Sequence, residues 1–458
     1  MRARVGSWWF TVRDTLWPIP AAMTTTAVIL ALLLIQLDEQ VLGDAGEHRW
    51  WLFSGGAAGA RGVLSTIAAT SMTIATTAFS ITIVALQLGS SQFSPRILRG
   101  FTGDRGNQMV LGIFTATFAY SLVVLRAVRT ESDDRRTFVP GTALTIALLL
   151  AFVMIGALIY FFHHATRNIQ APVIVERAAR DTRTLIENEI GRRALMVRTL
   201  ERSTSAVGEA QQIKAQSPGY IQNIELGALV QSAKDWGGVI RVARSEGSYV
   251  IPGATLATAW LTDQPNTESS EENERKSGEE QPSADERKAR VEELRNQVRD
   301  TYFLGMERTL EHDVDLGFRQ LSDIALKALS PGINDPTTAL LCIDRLRELL
   351  VLAIDLRSGW FSIWDDEDQL RVLIEFDGFD VYLGIAFGQV RHYGAGDATV
   401  VLHLLEELHE LDEHTTSLAD HQQLREMAAL TVEESELQSL PQYDRARIRN
   451  AASWAMTA

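Results

Sequence analysis

Thr66, Thr70, Thr73, Thr77 and Ser80 recur at alternating steps of four and three within one long apolar stretch, and Gln87 and Ser91 continue the series with Val84 between them. In a helix, such spacing puts all of these side chains on one face. A hydroxyl face of this kind can line a water-filled path. One helix cannot close a pore, so that reading requires several copies of the chain around an axis. The same face also suits helix–helix packing, because small and hydroxyl residues let backbones approach closely in membranes. Ala68, Ala69, Ala75 and Ala78 support close packing on the other faces, while Ile67, Ile74, Phe79 and Ile83 flank the stripe or narrow its edge. Beyond it, Gln92-Phe93-Ser94-Pro95-Arg96 leads out of the helix, since proline disfavours its continuation. Arg96 and Arg99 would form a basic, anion-favouring ring at the cytoplasmic mouth of a symmetric assembly, or else anchor the chain to lipid headgroups.

A second polar group lies at 323–339. Pro331 and Gly332 end one helix, Asp335 suits an N-cap, and Pro336 suits the first position of the next helix. Leu340, Ile343, Leu346, Leu349 and Leu350 then supply an apolar face. This segment reads either as a well-capped corner or as a polar contact site using Asp323, Ser330, Asn334 and Asp335. Other chemistry is sparse. The sequence carries no phosphate-binding loop, dinucleotide fingerprint, paired-histidine zinc motif or nucleophile elbow. His403 and His409 are six residues apart, which does not stack them on a helix as metal ligands. His163 and His164 read as interfacial rather than as ligands, and Asp365-Asp366-Glu367-Asp368 reads as a solvated turn, with a cation site as the alternative. No catalytic residue, metal or cofactor is expected.

The elements that would carry these residues follow from hydropathy. Apolar stretches at about 19–37, 62–88, 109–128 and 139–162 each suffice to cross a bilayer, which takes ~20 helical residues. Asp38-Glu39-Gln40 follows the first stretch in place of a small-residue cleavage site, so it reads as a span and not as a removed signal. Arginines at 2, 4 and 13, at 96, 99 and 105, and at 167, 177, 180 and 183 share one side if the spans number four. By the positive-inside rule both termini are cytoplasmic, although Arg126, Arg129, Arg135 and Arg136 in the third loop dissent.

Overall composition masks this asymmetry. The 458 residues are 46% hydrophobic with a net charge of −15, and the charge lies largely in the C-terminal half. An acidic domain lacks the clustered cations that nucleic-acid binding needs. The single cysteine, Cys342, excludes an intrachain disulfide. A charged helical pattern is expected over 170–211, then a small β unit over 220–260. Within it, 246–256 has a local likeness to lipoyl-type hammerheads but lacks their Met-Lys tip. The acidic run at 262–287 cannot bury a core and reads as a disordered linker. Helical periodicity then dominates to the end, apart from a hairpin around 360–376.

Gln92-Phe93-Ser94-Pro95-Arg96 and the 328–339 motif Ala-Leu-Ser-Pro-Gly-Ile-Asn-Asp-Pro-Thr-Thr-Ala resemble the bacterial predicted membrane protein family filed as domain of unknown function 2254. The likeness extends to Asp315-Leu316-Gly317-Phe318 and to Gln389-Val390-Arg391-His392-Tyr393-Gly394, and covers nearly the whole chain. It implies a membrane protein and brings no catalytic residues. The 262–287 run looks like an insertion relative to that pattern.

The expected architecture is therefore a membrane all-α part with four transmembrane helices, followed by a mainly α cytoplasmic region with a small β unit. Its segments are a cytoplasmic or interfacial N-terminus (1–17), the transmembrane domain (18–165), a helix plus the β unit (166–261), the acidic linker (262–290) and a helical domain (291–458). The expected function is a non-enzymatic, channel-like homo-oligomer in the plasma membrane, with ions as possible cargo and the lipid bilayer as its surroundings. The alternative is a non-conducting scaffold or sensor whose cytoplasmic domain binds a partner or ligand.

Overall fold

The computed structural model describes residues 17–41, 56–92, 104–129, 138–168, 170–198, 206–262 and 284–456. The chain divides into two units, Met1–Ile174 and Val175–Ala458.

The first unit contains α1 (Pro18–Val41), α2 (Ala57–Gln92), α3 (Arg105–Ala127) and α4 (Gly141–Asn168), and each is long and apolar enough to cross a membrane. α3 is central and packs on the other three. Its Tyr120 is fully buried and donates a hydrogen bond to the Ala143 carbonyl at 2.9 Å. Phe114 of α3 and Phe161 of α4 fill the far half of the core beside Ala75 and Ala78 of α2.

Polar contacts fix the direction of each helix. Asp38, near the end of α1, accepts hydrogen bonds from the backbone N–H groups of Thr142 and Ala143 at 3.1 and 3.2 Å, satisfying two orphan donors at the start of α4. Arg61, near the start of α2, bonds the Val128 carbonyl just past α3. At the opposite end, Asp104 before α3 meets His164 and Asn168 at the close of α4. The four helices therefore alternate in direction. Asp38, expected as a loop charge, is instead a buried helix cap, and Glu39 beside it faces Arg129 at 3.4 Å.

The second unit is α+β. Nearly all of α5 (Ala171–Ala194) lies in it, followed by β1 (Val197–Arg198), β2 (Ala206–Lys214), β3 (Gly219–Ile224), α6 (Leu226–Trp236), β4 (Gly238–Val242), β5 (Tyr249–Val250) and β6 (Thr255–Thr262). Then come α7 (Ala284–Asp300), β7 (Tyr302–Gly305), α8 (Val314–Ala328), α9 (Pro336–Ala353), β8 (Gly359–Trp364) and β9 (Leu370–Phe376). The chain ends with α10 (Phe379–Gly394), α11 (Ala398–His414), α12 (Leu418–Glu436), α13 (Gln442–Ala451) and α14 (Ser453–Met456).

The β unit is larger than its sequence suggests. One sheet runs β1-β8-β9-β4-β6-β2 and a second runs β5-β3-β7. The β8–β9 hairpin joins the first sheet through a parallel pairing of Ile240 and Arg241 with Val372 and Leu373. Ile240, Ala257, Phe361 and Ile374 share its core. The helix expected over 170–211 stops at Ala194, and its last part is strand instead, because Ala206–Lys214 pairs with β6. The first residues of α7 fall where linker was expected; the acidic run from 263 to 283 lies outside the described residues.

Candidate functional site

α2 has 36 residues, which at ~1.5 Å per residue is a rod of about 54 Å. Its buried face is formed by Leu64 and by Ala60, Ala68, Ser71, Ala75, Ala78, Thr82 and Ala85, whose small side chains let α3 and α4 approach closely. Thr66, Thr70, Thr73, Thr77, Ser80 and Gln87 are all exposed. At about 100° per residue they lie on the opposite side of the helix from the buried face. Packing among the described residues therefore does not use the hydroxyl stripe. Met72, Phe79 and Ile83 flank it as exposed apolar side chains, while Ile67 is buried and Ile74 half-buried on the packed side.

The stripe residues meet their own polar needs in part. Thr66, Thr73, Thr77 and Ser80 donate to the carbonyls of Gly62, Ala69, Thr73 and Thr76, at 2.8 to 3.0 Å. Such bonds leave the oxygen lone pairs available to a further donor. From Thr66 to Gln87 the stripe is about 32 Å long, close to the ~30 Å hydrocarbon core of a bilayer. Ser91 ends the series inside α2, but its side chain, like Arg96 and Arg99, lies outside the described residues.

At the end of the bundle where α2 finishes, a polar cluster appears that sequence reasoning missed. Asp104 caps α3 by accepting from the N–H groups of Gly106 and Asn107 at 2.8 and 3.3 Å. The same carboxylate faces His164 Nε2 at 2.9 Å and accepts from Asn168 Nδ2 at 2.9 Å. Tyr160 stacks on His164 with ring centroids 5.2 Å apart. Gly106 permits this approach, since a Cβ there would stand 2.9 Å from both His164 Nε2 and the Tyr160 hydroxyl. The available signals were an aspartate before a helix start and the i, i+4 spacing of Tyr160, His164 and Asn168.

In the second unit, α8 and α9 meet at the 328–339 corner. Asp335 is the N-cap of α9, its Oδ1 accepting from Thr338 N at 3.1 Å, and Pro336 occupies the first turn. Asn334 adopts a left-handed backbone with φ 51°, a conformation asparagine tolerates better than most residues. The Ser330 hydroxyl bonds back to the Lys327 carbonyl at 2.6 Å. Asp323 is half-buried about two turns earlier on α8, while Pro331, Gly332, Ile333 and Asn334 are exposed. The cap reading thus has direct geometry behind it. Asp335→Ala is expected to destabilise the protein by ~0.5–2 kcal/mol, read as a lower melting temperature of the full chain. An unchanged melting temperature would mean that Asp335 serves the corner in some way other than capping.

A family described as "Predicted membrane protein (DUF2254)" matches residues 13–410. The chain belongs to this family. Similar relatives include uncharacterized protein Rv1290c of Mycobacterium tuberculosis and uncharacterized protein Mb1321c of Mycobacterium bovis. Each is 31% identical over 410 residues, covering 88% of this chain and 73% of the relative. No solved structure matches. The DUF2254 description indicates no enzymatic reaction. The stretches that suggested the family include the α9 cap and Asp315-Leu316-Gly317-Phe318 at the start of α8.

In this DUF2254 chain the α8 segment carries a perturbed carboxyl. Burial, with Asp313 and Asp377 nearby, pushes Asp315 up to about 6. Its folded value exceeds its unfolded value, so the native state binds the extra proton, and stability is lost as pH rises from about 4 through about 6. Asp315→Asn is expected to stabilise the protein at pH 7 by about 1–2 kcal/mol, after discounting one-third exposure, and to do nothing near pH 4. Melting curves of both proteins across that range test it; equal gains at both pH values would remove the ionisation argument.

Proposed function

We propose that the protein is a multi-pass plasma-membrane protein whose copies assemble around α2, so that the Thr66–Thr70–Thr73–Thr77–Ser80–Gln87 face lines a path for ions or small solutes. The observation that carries the reading is the separation of faces on α2. Small residues pack inward, hydroxyls point away from the chain's own helices, and the stripe matches a hydrocarbon core in length. A lone hydroxyl facing lipid is tolerable when bonded to its own helix. An aligned series is better matched to water or to another subunit. The alternation of the four helices puts the two ends of the bundle on one side, the arginine bias would make that side cytoplasmic, and the second unit would then control or assemble the membrane part. Among the described residues, the spans carry no Asp, Glu, Lys or Arg in their middle portions, which disfavours ion-coupled transport, where intramembrane carboxylates are usual.

Single cysteines placed along 63–88 test the reading. Cys342 is fully buried and burial pushes its thiol above the ordinary range, so it contributes little background; Cys342→Ala removes the remainder. Reactivity toward a small water-soluble thiol reagent is expected to peak at 66, 70, 73, 77 and 80. Reconstituted protein is expected to conduct, and Thr73→Leu to reduce that current ~10-fold or more by drying the path. Unreactive stripe positions together with no current would overturn the channel reading and leave the scaffold or sensor, with the same face packed against a second copy.

A further inference from the structure

We infer that Asp344, His403 and Glu407 form a binding site for a divalent transition-metal ion of the zinc type, joining α9 to α11. His403 and Glu407 lie one turn apart on α11, and Asp344 projects from α9, which packs against it. One ligand atom from each converges within 4.8 Å. His403 Nε2 and Asp344 Oδ1 share a short hydrogen bond at 2.5 Å, whose proton a metal ion would replace as the two atoms part to bind it, and Glu407 Oε1 lies 3.9 Å from Nε2. These are nitrogen and oxygen donors of the kind zinc takes. Calcium and magnesium favour all-oxygen sites, so the imidazole selects against them. Three protein ligands also leave a coordination position open to water or to a further ligand.

The surroundings are organised around the ligand set. Glu407 is a buried carboxylate, with 8% of its side chain exposed. Its Oε2 meets the guanidinium of Arg347, leaving Oε1 on the His403 side. Arg347 also holds Glu410 at 3.0 Å. A ligating carboxylate fixed by an outer partner is the usual construction of a metal site. Arg347 cannot balance Asp344, Glu407 and Glu410 together, so the cluster keeps an excess of negative charge that a divalent cation would neutralise. The six-residue spacing keeps His409 away from His403, and His409 stacks on Trp454 at 4.9 Å and takes no part. Glu407 and Asp344 are the actual neighbours of His403.

The test uses the full-length protein in detergent, purified without a histidine tag and stripped with a chelator. Equilibrium dialysis against zinc chloride is expected to show one zinc per chain held by these residues, with a rise in melting temperature. Outer partners alone tune metal affinity by 10–100-fold, so loss of a ligand is expected to weaken binding by about 100-fold or more. Asp344→Asn is the informative variant, because Asp344 is 44% exposed and its replacement leaves the helix packing in place. His403→Gln is expected to behave alike, and His409→Ala to bind as the parent does. Failure of the parent to bind zinc, or equal binding in the parent and Asp344→Asn, overturns the assignment. If His403→Gln proves unfolded in the stripped state, Asp344→Asn decides the matter.

Discussion

Replacing Arg193 by methionine is expected to cost the protein about 2–4 kcal/mol through the hydrogen bonds it removes. Arg193 lies near the end of α5 with 6% of its side chain exposed, and every part of its guanidinium is engaged. Nε donates to Glu189 Oε1 at 2.7 Å. Nη1 donates to the carbonyls of Arg357 and Asp377 at 2.8 and 2.9 Å, and Nη2 to the Tyr382 hydroxyl at 3.1 Å. The cation also sits 4.4 Å from the Phe376 ring centroid, with Arg192 on the same ring at 5.2 Å. One side chain thus ties α5 to the β8–β9 hairpin and to α10. Methionine keeps the bulk but leaves Glu189 to Arg192 alone, which still donates to it at 2.7 and 3.2 Å, and leaves the part-buried Arg357 and Asp377 carbonyls and the Tyr382 hydroxyl without their donor. Arg193→Lys keeps the charge without the planar fork, so it should recover part of the loss. Thermal melts of the full chain measure all three proteins. A methionine variant within 1 kcal/mol of the parent would show that the network contributes specificity and little stability.

The second large effect is expected at Asp104. Asp104→Ala removes the cap of α3 and the partner of His164 and Asn168 together. A lost cap costs ~1 kcal/mol and each hydrogen bond to a charged group ~1.5–3 kcal/mol. Because the bonds share one carboxylate they do not add fully, and a total of about 2–4 kcal/mol is expected. Asp104→Asn keeps an acceptor for the α3 amides and should lose less. The measurement is the melting temperature in detergent. Unaltered melting would mean that α3 and α4 are held by their apolar faces alone.

The sequence by itself determined the features that depend on neighbours within a few turns. Four apolar runs are legible because a bilayer demands a minimum helical length whatever the chain does elsewhere. The Asp335 cap and the Pro336 start are legible because capping is a bond between a side chain and a backbone three residues on. The hydroxyl stripe is legible because helical periodicity alone aligns Thr66 with Thr70, Thr73 and Thr77. Which way that stripe faces was not legible. Both faces of α2 are built from small residues, and only the packing of α3 and α4 selects the Ala60–Ala85 side for burial. Long-range pairings were equally hidden. Helical periodicity continued past Ala194 because a charged amphipathic run looks alike in either state. The partners that make strands of β1 and β2 lie far along the chain, at β8 for the first and at β6 for the second. Asp38 capping α4, Asp104 holding His164, and Asp344 meeting His403 each join residues roughly 60 to 100 positions apart. Their chemistry depends on distance in space, which the spacing of letters records only when both groups share one helix.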